Sequence, residues 1–444
     1  MSLDPPPFGL RRARWLLPIA LLLSAHIAPA AQPGFPGAEG YGGSARGGRD
    51  GRIIAVTTLQ DSGAGSLRAC LEALGPRVCI FRVGGVIRFT TVRPIIRNPY
   101  LTVAGETAPG GGILITHGGG STGLTPLVIK DTHDVIVRDV RVRMDRRGAI
   151  RGSNSAISIE NGRRIILDHV STSWSLDENV GLQGQNDEIT ISNSIFAEGV
   201  LHHSKCALLA SDPRGPQRVS FIGNLCASNG DRNPNINFRP GSCVEVVNNL
   251  LYNAKVEFAE IWESNGGSPV SIVGNYFRAG PNTSVAAHAL VRQTVESAGL
   301  SRVFERGNIF DGMMPTTENF TPLRAARPPC PLTIKPKSAM AAYTRILGSA
   351  GAFPRDSVDS RLVSEVTTHG GRIVSEVGRL PAIAGGAPYA DADGDGMSDN
   401  WERAHGLNPV MNDAWSRSAN NAWTNLERFL AYAHERRAAG LPVR

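Results

Sequence analysis

Three short polar segments carry the residue types that could bind and activate an anionic sugar. In chain order they are Asp177-Glu178, His202-His203-Ser204-Lys205 and Asp231-Arg232-Asn233-Pro234. If each segment lies on its own strand repeat, an arginine, a lysine and adjacent carboxylates meet on one face. Carboxylates bind hard divalent cations, whereas arginine and lysine neutralise the carboxylates of a ligand. The spacing therefore predicts a site for an anionic sugar bridged by a divalent cation.

Short β-branched strands recur between residues 135 and 310, and these repeats must position the polar segments. Their starts lie 24 to 33 residues apart, and in the later units an Asn follows each strand in register. The strands are Val135-Ile136-Val137, Ile165-Ile166-Leu167, Ile189-Thr190-Ile191, Val219-Ser220-Phe221, Val244-Glu245-Val246, Val270-Ser271-Ile272 and Val303-Phe304, and the asparagines are Asn224, Asn249, Asn275 and Asn308. A near-fixed period of this length indicates a solenoid.

The residues between the strands decide which kind of repeat architecture is expected. A βαβ sheet would need helical segments of about ten or more residues there, but these stretches are rich in Gly, Ser and Asn. We therefore predict an all-β fold, a right-handed parallel β-helix. The asparagines should occupy the bends, because Asn tolerates the left-handed conformation and bonds nearby backbone. A helix starting near Ser66 should cap the first coil.

The first thirty residues have the layout of a secretory signal peptide. A basic start precedes the apolar run from Trp15 to Ala25, and Ala28-Pro29-Ala30 offers a cleavage site. Removing this segment takes away three arginines and one aspartate, which lowers the formal net charge from +7 to +5. No later apolar stretch approaches the ~20 residues that span a bilayer. We expect a secreted protein, extracellular or periplasmic, with no membrane association.

The cysteines and lysines indicate disulfide bonds and argue against zinc and nucleic acid as binding partners. Cys70 and Cys79 flank a short helical pattern and should form a disulfide, and the other four cysteines leave three pairings open. These four are Cys206, Cys226, Cys243 and Cys330. The close spacing of a structural zinc site is missing. Only five of the 46 basic residues are lysines, and no basic run follows the signal peptide, which argues against nucleic acid.

The C-terminal part divides into two further regions. The β-helix should occupy residues 31–315, and residues 316–390 should form a strap along it, with one amphipathic piece around Val358 to Val366. Residues 391–444 contain an EF-hand-like loop with oxygen ligands at the spacing that wraps Ca²⁺ around a Gly turn. The predicted ligands are Asp391, Asp393, Asp395, the carbonyl of Met397, Asp399 and Glu402. We expect a structural ion that folds two short helices onto the main body. A second loop from Ser416 to Glu427 has lost its carboxylates and should not bind.

Eight short motifs resemble the pectate lyases of polysaccharide lyase family 1. They fall in the family's order and span roughly residues 34–315. The motifs are Gly37 to Gly43, Asp61 to Arg68, Gly105 to Gly110, Leu167-Asp168-His169, Ser173 to Glu178, His203-Ser204-Lys205, Arg232-Asn233-Pro234 and Val246 to Asn249.

The resemblance implies a role for each candidate site residue. Arg232 would take the C5 proton α to a uronate carboxylate, so that the C4 oxygen leaves by β-elimination. Lys205 and His203 would bind substrate, and Asp177 would be an acidic calcium ligand. Calcium on the uronate would acidify C5. Because a guanidinium is ordinarily protonated, an arginine base also implies a nearby cation and an alkaline optimum.

Three positions depart from the family pattern. The second acidic ligand, four residues after Asp177, is Gly181, and the Asp of the preceding coil is Ser155. Glu178 is the candidate substitute for the missing acid. The arginine usually five residues after the catalytic one is Asn237, and Arg239 lies close enough to replace it.

The predicted function is a calcium-dependent lyase, monomeric, acting on polygalacturonate or a related acidic polysaccharide. Two alternatives stay open: a non-catalytic β-helix binding protein, and a glycoside hydrolase, which would need a second catalytic carboxylate.

Trp174 and Trp262 are either core residues or sugar-stacking platforms. Asp168-His169 is expected to be a buried structural pair.

Overall fold

Each coil of the chain contributes one strand to each of three parallel sheets, here called A, B and C in their order along a coil. The computed structural model describes residues 1–4, 9, 32–117, 125–146, 154–419 and 421–444. Nearly all of the predicted signal peptide lies outside these residues. Residues Pro33–Arg444 form one unit. None of the helices in the described part of the chain is both long and apolar enough to cross a bilayer.

The described residues place ten strands in sheet A and nine each in sheets B and C. Sheet A contains Arg52–Val56, Arg77–Phe81, Leu101–Ala104, His133–Arg138, Arg163–Asp168, Asp187–Ser192, Arg218–Ile222, Cys243–Val247, Pro269–Val273 and Arg302–Arg306. Sheet B contains Gly85–Phe89, Ile113–His117, Val140–Arg143, Ser171–Ser173, Ile195–Ala197, Leu225–Ala227, Leu250–Tyr252, Tyr276–Arg278 and Ile309–Asp311. Sheet C contains Ile95–Ile96, Leu127–Lys130, Ile157–Glu160, Glu178–Gln183, Lys205–Ser211, Asn235–Ile236, Glu257–Trp262, His288–Gln293 and Met314–Thr316. The predicted parallel β-helix is confirmed.

The β-branched repeats read from the sequence all fall in sheet A, in register. Ile165 pairs with Val135 on one side and with Ile189 on the other, and all three are fully buried. Burying one such side chain stabilises the fold by about 1.5–3 kcal/mol. Because like residues stack on every coil, the apolar core runs the length of the solenoid.

The recurring asparagines form a buried amide ladder rather than left-handed bends. The Nδ2 group of Asn249 donates to Oδ1 of Asn275, 2.9 Å away, and Oδ1 of Asn249 accepts from the amide of Asn224 at 2.8 Å. The left-handed conformation belongs to the preceding residue, for example Asn248 with φ 55° and Gly274 with φ 64°. The predicted left-handed position was therefore wrong by one residue, since the ladder needs its amides pointing along the solenoid axis.

The N-terminal segment contains a part that lies on sheet A and, after it, a helix that closes the first coil. Helix α1 (Leu67–Glu72) begins at Ser66, whose hydroxyl accepts the amide of Ala69, and the disulfide between Cys70 and Cys79 is present as predicted. Further upstream, the amide of Gly42 donates to Thr190 on sheet A at 2.9 Å. A Cβ at Gly42 would meet the carbonyl oxygen of Ile165 at 2.5 Å, so only glycine permits this approach.

The segment after the last coil covers sheet B with two helices, α2 (Ala339–Ser349) and α3 (Ser357–Thr368). Their buried side chains pack with Leu225, Leu250 and Tyr276 of sheet B. Helix α3 contains the amphipathic piece expected from the sequence, whereas α2 was not expected. The remaining disulfides are Cys206–Cys226 and Cys243–Cys330, and the second ties this segment to sheet A.

The last residues pack on the first coils of sheet A. Helices α4 (Asp399–Ala404) and α5 (Asn425–Ala438) form an apolar cluster with Val78 and Ile80. Two 3-10 helices complete the described elements, Gly105–Thr107 and Glu318–Leu323.

Candidate functional site

Sheet C carries the charged residues that the sequence singled out, on successive coils. Glu178 pairs in register with Lys205, and Lys205 forms a bridge with Asp231. Nζ of Lys205 lies 2.5 Å from Oδ1 of Asp231, 26 residues further along the chain. The coil repeat thus brings residues distant in sequence into one charged row on sheet C, formed by Glu178, Lys205 and Asp231. The surface along this row is called the groove.

Arg232 reaches back across this row. Its Nη1 donates to Oε1 of Glu178 at 2.5 Å, and its side chain keeps a quarter of its surface exposed. Its backbone lies in the left-handed region at φ 50°, and its amide donates to Oε1 of Glu260 at 2.9 Å. This backbone conformation is sparsely populated for a non-glycine residue, so the surrounding bonds hold the guanidinium at the groove surface.

Electrostatics within the groove favour a proton or a cation on the acidic residues. Burial, followed by the charge of Asp177, raises the pKa of Glu178 to about 7, although Arg232 opposes the shift. Burial and the carboxylates of Glu260 and Asp231 likewise raise the pKa of Glu257 to about 7. Burial is the largest cause in both cases, and neighbouring carboxylates add to it.

The structure brings together most but not all of the predicted binding residues. His203 lies on the groove rim with its Nδ1 3.4 Å from Oδ1 of Asp177. Arg239 instead donates from Nε to the carbonyl oxygen of Pro213 at 2.7 Å, and this bond faces the loop after Lys205–Ser211. Its proposed substitution for the missing family arginine is therefore not supported by a contact to the charged row.

Sequence reasoning missed a second acidic group in the groove. Carboxylate oxygens of Asp231, Glu257 and Glu260 all lie within 4.8 Å of one another. Glu260 is almost fully buried and accepts the indole N–H of Trp262 at 2.9 Å. The signal was present in the coil spacing, because Glu260 pairs in register with Asn235, four residues after Asp231 on the preceding coil.

Two of the three departures from the family pattern, Gly181 and Ser155, lie next to each other beside Glu178. A Cβ at Gly181 would lie 3.4 Å from Oγ of Ser155 and 3.9 Å from Oε2 of Glu178. Ser155, Glu178 and Asp177 therefore supply oxygen atoms to one part of the groove. Hard oxygen donors of this kind fit Ca²⁺, although only two of them are charged.

Known proteins with similar sequences agree on one family. A probable pectate lyase C of Aspergillus fumigatus is 36% identical over 400 residues, which cover 86% of this chain and 89% of that protein. A probable pectate lyase C of Emericella nidulans is 32% identical over 437 residues, covering 93% and 94%. This chain belongs to the pectate lyases. It is a polysaccharide lyase, which sets aside the non-catalytic and hydrolase alternatives. No protein-family model matches the chain.

Solved pectate lyases share the fold of this pectate lyase. The enzyme of Bacillus sp. N165, solved with trigalacturonate, superposes with a TM-score of 0.52 at 16% identity, covering 71% of this chain and 99% of that one. A Bacillus subtilis pectate lyase mutant gives a TM-score of 0.50 at 12% identity, covering 73% and 99%. At these identities the likeness concerns the β-helix alone.

The two tryptophans of this pectate lyase have different positions. Trp262 and Arg232 line a cleft of about 350 Å³ together with Asn235 and Asn237. Trp174 is buried against α3 and donates its indole N–H to Glu198 at 2.9 Å. Trp262 therefore remains available to a sugar ring, whereas Trp174 belongs to the core.

The pair Asp168-His169 is buried, as predicted. Nδ1 of His169 lies 2.7 Å from Oδ2 of Asp168, and Arg138 lies 3.4 Å from the same oxygen. The pair packs near α5, on the sheet A side. It is a structural element of this pectate lyase.

Some of the predicted ligands of the C-terminal loop lie close together, and Asp413, which was not predicted, lies with them. Oxygens of Asp391, Asp393 and Asp395 form one group, and those of Asp395, Glu402 and Asp413 form another. Asp399 belongs to neither group, because Oδ1 accepts the amide of Ala392 at 2.8 Å and Oδ2 lies 3.4 Å from Arg403. Asp413 was missed because it lies beyond the twelve-residue loop.

Proposed function

We propose that this pectate lyase is secreted and cleaves polygalacturonate, or a related uronic-acid polymer, by calcium-assisted β-elimination. The observation that carries the proposal is the charged row on sheet C, where Arg232 and Lys205 stand beside Glu178 and Asp231. The names of the relatives and the trigalacturonate bound to a structural neighbour support this substrate class.

Arg232 is the proposed base. Its guanidinium sits at the groove surface with a partly exposed face, so it can approach the C5 proton of a bound uronate. A guanidinium has no free electron pair, so it first gives a proton to hydroxide. The neutral nitrogen then takes the C5 proton, the electron pair forms a C4–C5 double bond and the C4–O bond breaks. The departing oxygen then takes a proton from water. The product pair therefore contains one unsaturated sugar and no added water.

Lys205 is the proposed partner of the substrate carboxylate. Its ammonium is mostly buried and is paired with Asp231, beside Glu257 and Glu260. These acidic neighbours orient the ammonium in the groove. A uronate carboxylate bound there would share the lysine with Asp231, which neutralises the charge that develops as C5 loses its proton.

Asp177 and Glu178 are the proposed residues for the groove calcium, with the hydroxyl of Ser155 close by. Their hard oxygens fit the ion, but two carboxylates make a weak site until a substrate carboxylate is added. Calcium bound there supplies a Lewis acid that withdraws charge from the uronate and acidifies C5. Glu178 holds the Arg232 guanidinium in place at the same time.

Secretion and a monomeric state belong to the same proposal. Three disulfides and no free cysteine occur in the described residues, which favours an oxidising compartment.

The reaction class can be tested by oxygen labelling. Polygalacturonate is digested in ¹⁸O-water with calcium, and the new chain ends are analysed by mass spectrometry. Elimination predicts unsaturated ends and no label derived from cleavage. Saturated ends carrying ¹⁸O would show hydrolysis and would reject the proposal. A digest with a known glycoside hydrolase serves as the positive control for label uptake.

A further inference from the structure

The acidic side chains at the C-terminus form a group that needs a cation. Carboxylates of Asp391, Asp393, Asp395, Glu402 and Asp413 converge in two sets that share Asp395. Within each set the oxygens lie within 4.8 Å of one another. Oxygens bound to one Ca²⁺ at 2.3–2.6 Å can be at most about 5 Å apart, so each set has the spacing of oxygens that share an ion, and Asp395 joins the two sets.

Glu402 supplies the observation that points to a ligand. Its side chain is fully buried, and neither carboxylate oxygen has a hydrogen-bond partner. It is directed at Asp395 and Asp413. A buried carboxylate without a partner is costly, and a neighbouring carboxylate makes the position worse. A divalent cation among these oxygens removes both penalties.

Backbone hydrogen bonds hold the loop with these carboxylates close together. The amides of Gly394 and Gly396 donate to Asp391 at 3.0 and 3.2 Å, and both glycines have positive φ. The amide of Asp413 donates to Oδ2 of Asp395 at 3.3 Å, which brings the second segment to the loop. Asn425, the first residue of α5, donates to Oδ1 of Asp413 at 3.1 Å and orients it.

The loop also lies against the first coils of the solenoid. A Cβ at Gly396 would meet Ile80 at 3.1 Å and Ile53 at 3.2 Å, and Arg82 lies 3.6 Å from Asp391. The loop, Asp413 and α5 therefore meet where the end of the chain packs on its beginning.

We propose that Asp391, Asp393, Asp395, Glu402 and Asp413 bind one calcium ion that fastens the C-terminal helices to the first coils of the β-helix. Asp399 is not a ligand. This ion is separate from the groove calcium and has no part in the elimination.

Calcium binding to the full-length protein tests the proposal without substrate. The chelator-treated protein is titrated with calcium alone by calorimetry, alongside Glu402→Gln, Asp413→Asn and the matched control Asp399→Asn. Both ligand variants should lose one bound calcium per molecule, whereas Asp399→Asn should keep it. Wild-type stoichiometry in Glu402→Gln and Asp413→Asn, or an equal loss in all three variants, overturns the ligand set.

Hydrogen exchange on the wild-type protein gives a second test that needs no variant. Calcium should slow exchange in residues 391–415 and at the start of α5. It should leave the strands near Ile165 unchanged. Exchange in residues 391–415 that is indifferent to calcium overturns the proposal. Both tests are independent of lyase activity, so their failure would leave the proposed function untouched.

Discussion

Arg232 can act as a base only through its neighbours, since an isolated guanidinium stays protonated. Glu178 fixes its direction from two coils away, and Lys205 supplies positive charge on the neighbouring coil. Asp177 and Glu178 leave the groove short of charged calcium ligands, because Gly181 and Ser155 occupy the places of two acids. We therefore expect the groove site to bind calcium weakly, and one added carboxylate should raise its calcium affinity.

The substitution Gly181→Asp should tighten the groove site. The new Cβ finds ordinary contact distances to Ser155 and Glu178, so the side chain can be accommodated. A third carboxylate should lower the calcium concentration that half-activates the lyase. The measurement is the initial rate against calcium concentration at fixed polymer. Gly181→Asn is the neutral control of matched size, and a half-activating concentration equal to that of wild type in Gly181→Asp would place the ion elsewhere.

The asparagine ladder lies directly before the strands of sheet B, and sequence patterns predict it only in part. The β-branched repeats predicted sheet A because their spacing depends on the coil alone. The amide ladder could not be read, since each bond joins residues a full coil apart. The contact of Arg232 with Glu178, the approach of Asp413 to the C-terminal loop and the Cys243–Cys330 disulfide also join residues far apart in sequence, so local patterns could not predict them.

Asn249→Ala should destabilise the β-helix without touching the groove. Asn249 donates to the carbonyl of Phe221 and to Asn275, and it accepts from Asn224. Leaving buried partners unsatisfied costs about 1–3 kcal/mol. Urea unfolding measures the loss. Asn319→Ala, at an exposed position, is the control. Equal free energies of unfolding in the two variants would show that the ladder does not stabilise the fold.

Helix α5 should be held on the solenoid in a pH-dependent way. Nδ1 of His434 lies 2.8 Å from Oδ2 of Asp139. Burial opposes the charged histidine, but the Asp139 carboxylate outweighs burial and raises the pKa of His434 above its ordinary 6.5. A raised pKa in the folded state means that the pair stabilises fully below pH 6.5 and is lost as pH rises through the raised value.

The free energy of unfolding should therefore fall as pH rises through the range above 6.5, and His434→Gln should flatten that fall. Burial also raises the pKa of Glu106 to about 7, so a residual slope of the same sign should remain in the variant. Urea unfolding at a series of pH values measures both slopes. Identical slopes in wild type and His434→Gln would exclude the His434–Asp139 pair as the cause.

The whole molecule has two proposed calcium sites of different strength, one in the groove and one under its C-terminal helices. The proposed groove site offers the carboxylates of Asp177 and Glu178, whereas the C-terminal group offers five, four of them from one loop. Rising chelator should therefore abolish turnover first and lower the melting temperature only later. Parallel assays of rate and thermal unfolding measure the order. A melting temperature that falls together with the rate would mean that one class of site serves both roles.

Ultraviolet absorbance during incubation with polygalacturonate tests the central claim most directly, because elimination alone creates a C4–C5 double bond. The wild-type protein should produce rising absorbance that requires added calcium. Arg232→Lys should fold and bind polymer, yet retain less than about a tenth of the rate, a loss of at least ~1.4 kcal/mol in transition-state stabilisation. Absorbance that does not rise, that rises without calcium, or that persists in Arg232→Lys would contradict calcium-assisted elimination by Arg232.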